Sequence, residues 1–278
     1  MKKILVLFCV LVFASSLTAS TESLINAEGK DYKISLSAEL GTVFVASHKI
    51  QFGETGTLFD YVEDGNQNVL FPFSRYTAEL RLFDRHAVVF LYQPLEVFTE
   101  AIVDRDVTVY DVTFLAGTPM KLKYGFTFYR ASYLYYFIKE NNMELGAGLS
   151  LQIRNASISF ASADGEQFVT SQNIGPVPII KLAGKYTFDN GIWTALEADG
   201  FYANSEFFNG ASFPFEGAIW DISGRAGIEL KNGIKPFINV RFLAGGAKGT
   251  SRYEDAEGDG FANNWLSTLS LTLGVVLD

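Results

Sequence analysis

The side chains best suited to proton transfer are scarce in this sequence: there are only two histidines, His48 and His86. Imidazole titrates near neutrality, which suits it to act as a base or proton carrier. His48 stands close in sequence to Glu54 and Asp60, where a surface hydrolase would keep its base. No Ser-His-acid or paired-acid spacing accompanies it, so a rim role without catalysis is preferred. His86 closes the segment Asp84-Arg85-His86, and its expected duty is conformational, because the third residue of a tight hairpin turn often needs φ > 0. Zinc spacings and phosphate loops are absent from the sequence, so no metal and no cofactor is expected.

A second candidate set is ionic. Lys121, Lys123, Arg130, Arg154, Lys181, Lys185, Arg225 and Arg241 recur with Glu39, Glu79, Glu144, Glu197, Asp199, Asp221 and Glu229 on one face of alternating segments. Such a set can line a conducting or ligand-binding lumen, or it can fill a narrow interior with mutually paired charges. The filled interior is preferred, because a small barrel is just wide enough for side chains and an unpaired interior charge is costly. The net charge of −9 leaves no basic footprint, so nucleic acid is not an expected partner. Acidic stretches such as Glu54 to Asp64 and Glu254 to Asp259 read as solvated loops.

What must position these residues is a persistent two-residue alternation. From Met143 to Ile153 the odd positions are apolar, and the even ones are Glu144, Gly146, Gly148, Ser150 and Gln152. The runs Ala218 to Leu230 and Trp265 to Leu277 repeat the pattern. Four short turns punctuate the chain: Asp84-Arg85-His86, Glu140-Asn141-Asn142, Asp189-Asn190-Gly191 and Lys231-Asn232-Gly233. Each interval between them holds two strands of ~9–11 residues and a longer loop. A sandwich has no reason to alternate short and long connections, whereas a membrane barrel does. The expected fold is therefore all-β, an antiparallel up-and-down transmembrane barrel. About ten strands are expected, at 32–46, 74–83, 87–100, 119–138, 143–160, 178–188, 192–203, 217–230, 234–246 and 265–277. Outer loops centre near 60, 108, 168, 210 and 255, and both termini fall on the periplasmic side.

Two strands carry irregularities. Leu122, Tyr124, Phe126 and Phe128 share one parity, whereas Tyr133, Tyr135 and Phe137 take the other. A β-bulge near Tyr129-Arg130 would put both sets on lipid and turn Arg130 inward. Pro94 interrupts the third strand. Aromatics near the short turns (Phe83, Phe137, Tyr186, Phe188) and near the long loops (Phe160, Tyr202, Trp220, Trp265) read as two interfacial girdles.

At the N-terminus, Met1-Lys2-Lys3, the apolar run Ile4 to Ala14 and small residues through Ser20 form a secretory signal. The expected organisation is a signal peptide over 1–20 and a barrel over 21–278. Cys9 lies within the apolar run, so the mature chain is expected to lack cysteine and disulfides.

These features together resemble small outer-membrane β-barrel proteins of Gram-negative bacteria. Thr272, Gly274 and Leu277 are similar to the C-terminal signal read by the barrel-assembly machinery, with Asp278 where an aromatic usually stands. Gly56-Thr57-Leu58-Phe59-Asp60, Phe128-Tyr129-Arg130 and Glu144-Leu145-Gly146-Ala147-Gly148-Leu149 resemble blocks of an uncharacterised barrel family. The resemblance implies an outer-membrane location, outer-membrane lipid and the assembly machinery as partners, and no particular activity. The preferred role is structural or surface interaction. The alternatives are a narrow pore or conduit for a small solute or hydrophobic ligand, and a surface hydrolase using His48.

Overall fold

The computed structural model describes residues 31–207, 214–230, 233–250 and 258–278. The signal-peptide expectation for residues 1–20 lies outside them. The described strands are β1 (Tyr32–Phe52), β2 (Phe59–Asp60), β3 (Leu70–Leu82), β4 (His86–Gln93), β5 (Glu96–Ile102), β6 (Val107–Val109) and β7 (Val112–Phe114). They continue as β8 (Pro119–Lys139), β9 (Met143–Ser162), β10 (Phe168–Thr187), β11 (Ile192–Asn204), β12 (Phe215–Ile228), β13 (Ile234–Thr250) and β14 (Phe261–Leu277). Each long strand pairs antiparallel with its neighbour in the chain, and β14 pairs back onto β1. The sheet is thus a closed barrel. Both β4 and β5 pair with β8 and are parted only at Pro94-Leu95, so together they make one of ten staves. Proline brings no N–H to a ladder, which explains the break.

Alternation sorts the side chains. Leu149, Leu151 and Ile153 on β9, and Leu269, Leu271 and Leu273 on β14, point outward and are exposed. Their neighbours Ser150, Gln152, Ser270 and Thr272 are buried inside. Phe83, Phe137 and Phe188 ring the short-turn end of this apolar exterior. Toward its other margin stand Tyr202 and Trp220, and across the outer face of β3, β4 and β8 runs a stacked row of Tyr76, Tyr92 and Tyr129 whose ring centroids are 6.2 and 5.0 Å apart. From Leu277 to Trp265, β14 climbs about 30 Å at ~3.3 Å per residue and ~40° tilt, the thickness of a bilayer core. Strands β8, β9 and β10 have 21, 20 and 20 residues, so their long-loop ends project well beyond that band.

Register follows the turns. Gly191 sits at φ 80° and donates its N–H to Phe188 O at 3.0 Å, while Phe188 donates to Ile192 O at 2.7 Å. Lys181 then faces Asp199, Tyr186 faces Thr194 and Leu182 faces Ala198. Arg225 faces Asn239, and Arg130 faces Gln152. The first short turn differs from expectation. It is Phe83-Asp84-Arg85, with φ of 49° and 60° at Phe83 and Asp84, and His86 already pairs with Leu82 as the start of β4. His86 is placed by its own hydrogen bond, Nδ1 to Tyr133 Oη at 2.7 Å.

The expectation for β8 also fails, and for an instructive reason. There is no bulge at Tyr129-Arg130; the register shifts only between Tyr136 and Ile138. Even residues point inward along β8, so Met120, Leu122, Tyr124 and Phe128 are buried inside the barrel. Lys121 and Lys123 point outward instead: Lys121 donates to Ala163 O, and Lys123 pairs with Glu96 at 3.0 Å. Phe160 is buried too, not part of a girdle. The cause is an apolar core inside the long-loop half. Segment 53–69, with β2 against β1, carries Phe59 and Tyr61 into the barrel. The hairpin β6–β7 adds Val107, Val109 and Phe114. The two segments interlock, Thr57 N donating to Thr108 O at 2.8 Å and Thr108 N to Thr57 Oγ1 at 2.9 Å.

Candidate functional site

The interior is built in three tiers, each set by which side chains the inward parity supplies. At the short-turn mouth is a vestibule of about 400 Å3 with charged walls. Arg81 on β3 holds Glu79 at 2.9 Å and Glu144 of β9 at 2.7 Å, and Lys139 also bonds Glu144. Across the mouth Glu229 lies 2.8 Å from Lys235 and 3.3 Å from Lys185. Asp278 bonds Lys235 at 2.5 Å and Lys33 at 2.9 Å. Burial raises the Asp278 carboxyl, but the two lysines outweigh it and hold it well below the usual carboxylate range. Glu229 is lowered in the same sense, by Lys235 and then Lys185 against its burial.

The second tier is a buried ionic belt. Arg130 (2% exposed) spans the lumen from β8, 3.0 Å from Asp199 of β11 and 2.9 Å from Asp221 of β12. It also donates to Gln152 Oε1 at 2.7 Å. Arg241 meets Asp221 in a two-pronged contact, with both distances 2.5 Å, and bonds Gln93. Lys181 bonds Asp199 at 3.0 Å and Glu197 at 2.6 Å. Arg225 reaches Glu197 at 2.8 Å and lies 3.6 Å from Glu39. Glu39 is wholly buried and accepts from Asn239 at 2.7 Å and Thr272 at 2.9 Å. Five cations here, Arg75 included, face four carboxylates, so the belt carries both signs with one positive charge in excess and is no single-sign ring of the kind that selects ions.

The third tier lies beyond the belt, under the interlocked loops. His48 was expected at the rim beside Glu54 and Asp60. Its side chain is instead fully buried, stacked 4.4 Å from Tyr61 and edge-on to Tyr124 at 4.2 Å. Its Nδ1 bonds Gln67 Oε1 at 2.8 Å. A base enclosed this way meets no surface substrate. Burial, with Tyr124 alongside, pushes the Tyr61 hydroxyl well above the tyrosine range, so it stays protonated. Beside this cluster a chamber of about 430 Å3 opens, lined largely by apolar side chains. Arg154 belongs here and not to the belt; its hydrogen bond is to Asn173 Oδ1 at 3.4 Å. Among the described residues no group of three His, Cys, Asp or Glu side chains is placed to hold a metal ion.

Of the charges read from the sequence, the structure thus brings Arg130, Lys181, Glu197, Asp199, Asp221, Arg225 and Arg241 into the belt. Glu79, Glu144, Lys185 and Glu229 stand in the vestibule, and Arg154 in the chamber. Arg75 and Arg81 were missed, although their odd parity on β3 is the signal that places them inside.

A closed antiparallel barrel with an even number of staves, an apolar exterior and a charged interior defines a class, the membrane-spanning β-barrels. No family model matches the chain, and no curated protein matches it in sequence. Solved structures are similar to it at low identity, among them the following three. The outer membrane protease OmpT from Escherichia coli is 11% identical with a TM-score of 0.47, over 90% of this chain and 99% of that one. The transport unit of the autotransporter AIDA-I from Escherichia coli is 9% identical with a TM-score of 0.43, over 96% and 97%. A Pseudomonas aeruginosa FadL homologue is 7% identical with a TM-score of 0.36, over 90% of each. The fold assignment itself rests on the strand pairing and side-chain parity of this chain.

Proposed function

We propose that the protein is an integral outer-membrane barrel, sealed at mid-height, with a structural or surface-interaction role carried by its projecting long-loop half. The observation that carries this reading is the ionic belt. Arg130 contacts β9, β11 and β12 at once, and Arg241 ties β13 to β12 and to Gln93 on β4. Side chains that cross-link opposite walls support a lumen without a continuous water path, and open pores come with many more staves. The lipid partner is the bilayer around the apolar band. The Thr272, Gly274 and Leu277 pattern on β14 supports recognition by the barrel-assembly machinery during biogenesis. A hydrolase role for His48 draws no support from its burial.

Conductance tests the seal. The purified barrel, refolded and added to planar lipid bilayers, is expected to give no stepwise current. Discrete, reproducible conductance steps from the unmodified protein would overturn the sealed reading in favour of a pore. Fractionation tests the location: the protein should sediment with outer membranes and resist carbonate, and a soluble, detergent-free monomer would defeat it.

A further inference from the structure

The wall has a seam, and the chamber reaches it. Strand β10 pairs with β9 along its whole length but with β11 only from Ile180 to Thr187. Above the Ile180–Gly200 pair, β11 continues beside β12 as far as Asn204 while β10 continues alone. The sequence explains why. Even-numbered residues of this hairpin arm turn their N–H toward β11, as Phe188 does toward Ile192, whereas Thr187 donates the other way, to Asn142. The even positions just above the last pair are Pro176 and Pro178, which have no N–H to give. Two prolines on one edge make that edge unable to zip. The chamber is lined at this point by Pro176, Val177 and Pro178 on one side and Phe201 and Ala203 on the other.

The belt floors the chamber, and the interlocked segments 53–69 and 103–118 pack inside the β1, β5 and β8 side. Room is made by Gly245, Ala247 and Gly249, which present almost no side chain inward from β13. Within these largely apolar walls Arg154 stands out. Among the described residues no carboxylate comes within 4.0 Å of Arg154, although every cation of the belt has one. Arg154 also leaves its buried Nε without a hydrogen-bond partner, and faces Gly175, which has no side chain to occupy the space. Lys248 and Glu216, cross-strand from each other, also line the chamber. A largely apolar cavity of this size with a few polar groups, Arg154 among them, is the usual form of a small-molecule site. A guanidinium short of partners calls for an acceptor with two oxygens.

We propose that this chamber binds a small amphiphile with an apolar body and a single carboxylate, admitted sideways through the β10–β11 seam, the carboxylate docking on Arg154. The inference goes beyond the sealed barrel, since the chamber lies on the outer side of the belt. It stands or falls independently of conductance.

The test uses the full barrel in lipid nanodiscs, radiolabelled decanoate and decanol as probes, and protein-free nanodiscs to subtract partition into lipid. Decanoate should bind saturably. Arg154→Gln should weaken decanoate by about tenfold or more, the loss of a charge-assisted contact, while leaving decanol binding near that of the unmodified protein. Ala203→Trp should block the seam and weaken both probes. Heat-modifiable gel migration reports folding, and the decanoate-to-decanol ratio in Arg154→Gln decides the issue even if Ala203→Trp fails to fold. Absence of saturable decanoate binding, or equal decanoate affinity in Arg154→Gln, would overturn the proposal.

Discussion

Arg130 shows how much one side chain can be asked to do inside a narrow barrel. It is desolvated, and the contacts that compensate come from three separate strands, through Gln152, Asp199 and Asp221. A buried ion pair adds little net stability when compared with a well-packed apolar core, yet removing one partner strands the others. Arg130→Ala is therefore expected to cost about 3–5 kcal/mol. Arg130→Lys should recover only part, because an ammonium cannot reproduce a planar fork. Urea titration in micelles, followed by heat-modifiable migration, reads both, and a loss under about 1 kcal/mol for alanine would show that the belt is not cooperative. The vestibule makes a different prediction, in pH. Asp278 and Glu229 have folded pKa values below their unfolded ones. Their stabilisation is therefore complete above the ordinary carboxylate range and is lost as pH falls from that range toward the lowered values. The barrel should grow easier to denature below about pH 4, and Asp278→Asn should flatten that slope without changing stability near neutrality by more than the lost lysine contacts. An acid slope identical in Asp278→Asn would assign the effect elsewhere.

At the scale of elements, the hairpin between β10 and β11 is set by one residue. Gly191 at φ 80° lies where a Cβ is disfavoured, so Gly191→Ala should destabilise the barrel by about 1–2 kcal/mol, and Gly191→Asn by less. Equal denaturation midpoints for glycine and alanine would mean that the turn does not set the register. That register was legible beforehand because two constraints coincide: a three-residue turn fixes which residues face, and alternation fixes which face is polar. Lys181 opposite Asp199 and Arg225 opposite Asn239 follow from them, whereas Arg130 meets Gln152 only because the register shift between Tyr136 and Ile138 offsets a connection in which Lys139 faces Glu144. The rule that the greasy face meets lipid fails along Met120–Phe128 for a physical reason. There the barrel encloses its own apolar core, made by segments far away in sequence, so the inward parity is the apolar one and the outward parity carries Lys121, Lys123 and Thr127. The outward placement of Lys121 and Lys123 was illegible for the same cause, as was the burial of Phe160. Residues 168–177 of β10 were read as loop because they lack alternation, and they are the stretch that runs with one neighbour only.

The whole molecule is polar in the sense of having two unlike ends, and its orientation in a membrane follows from that. One end closes on short turns at Phe83-Asp84-Arg85, Asn141-Asn142 and Asp189-Asn190-Gly191. The other carries the projecting strands β8, β9 and β10 and the interlocked loops. Bacterial barrels place short turns in the periplasm and long loops outside. Asp164 lies in the exposed turn between β9 and β10, beside Gly165 at φ 80°, and Gly258 borders β14 at the same end. Asn190 is exposed at the opposite end. Short epitope tags at Asp164 and at Asn190 test the orientation, since exposed turn tips accept insertions with little loss of buried contacts. The tag at Asp164 should be reached by antibody on intact cells, and the tag at Asn190 only after the outer membrane is opened. Surface labelling at Asn190 on intact cells would invert the barrel. It would put the charged vestibule outside and turn the seam and chamber toward the periplasm, where a surface-interaction role for the long-loop half could not stand.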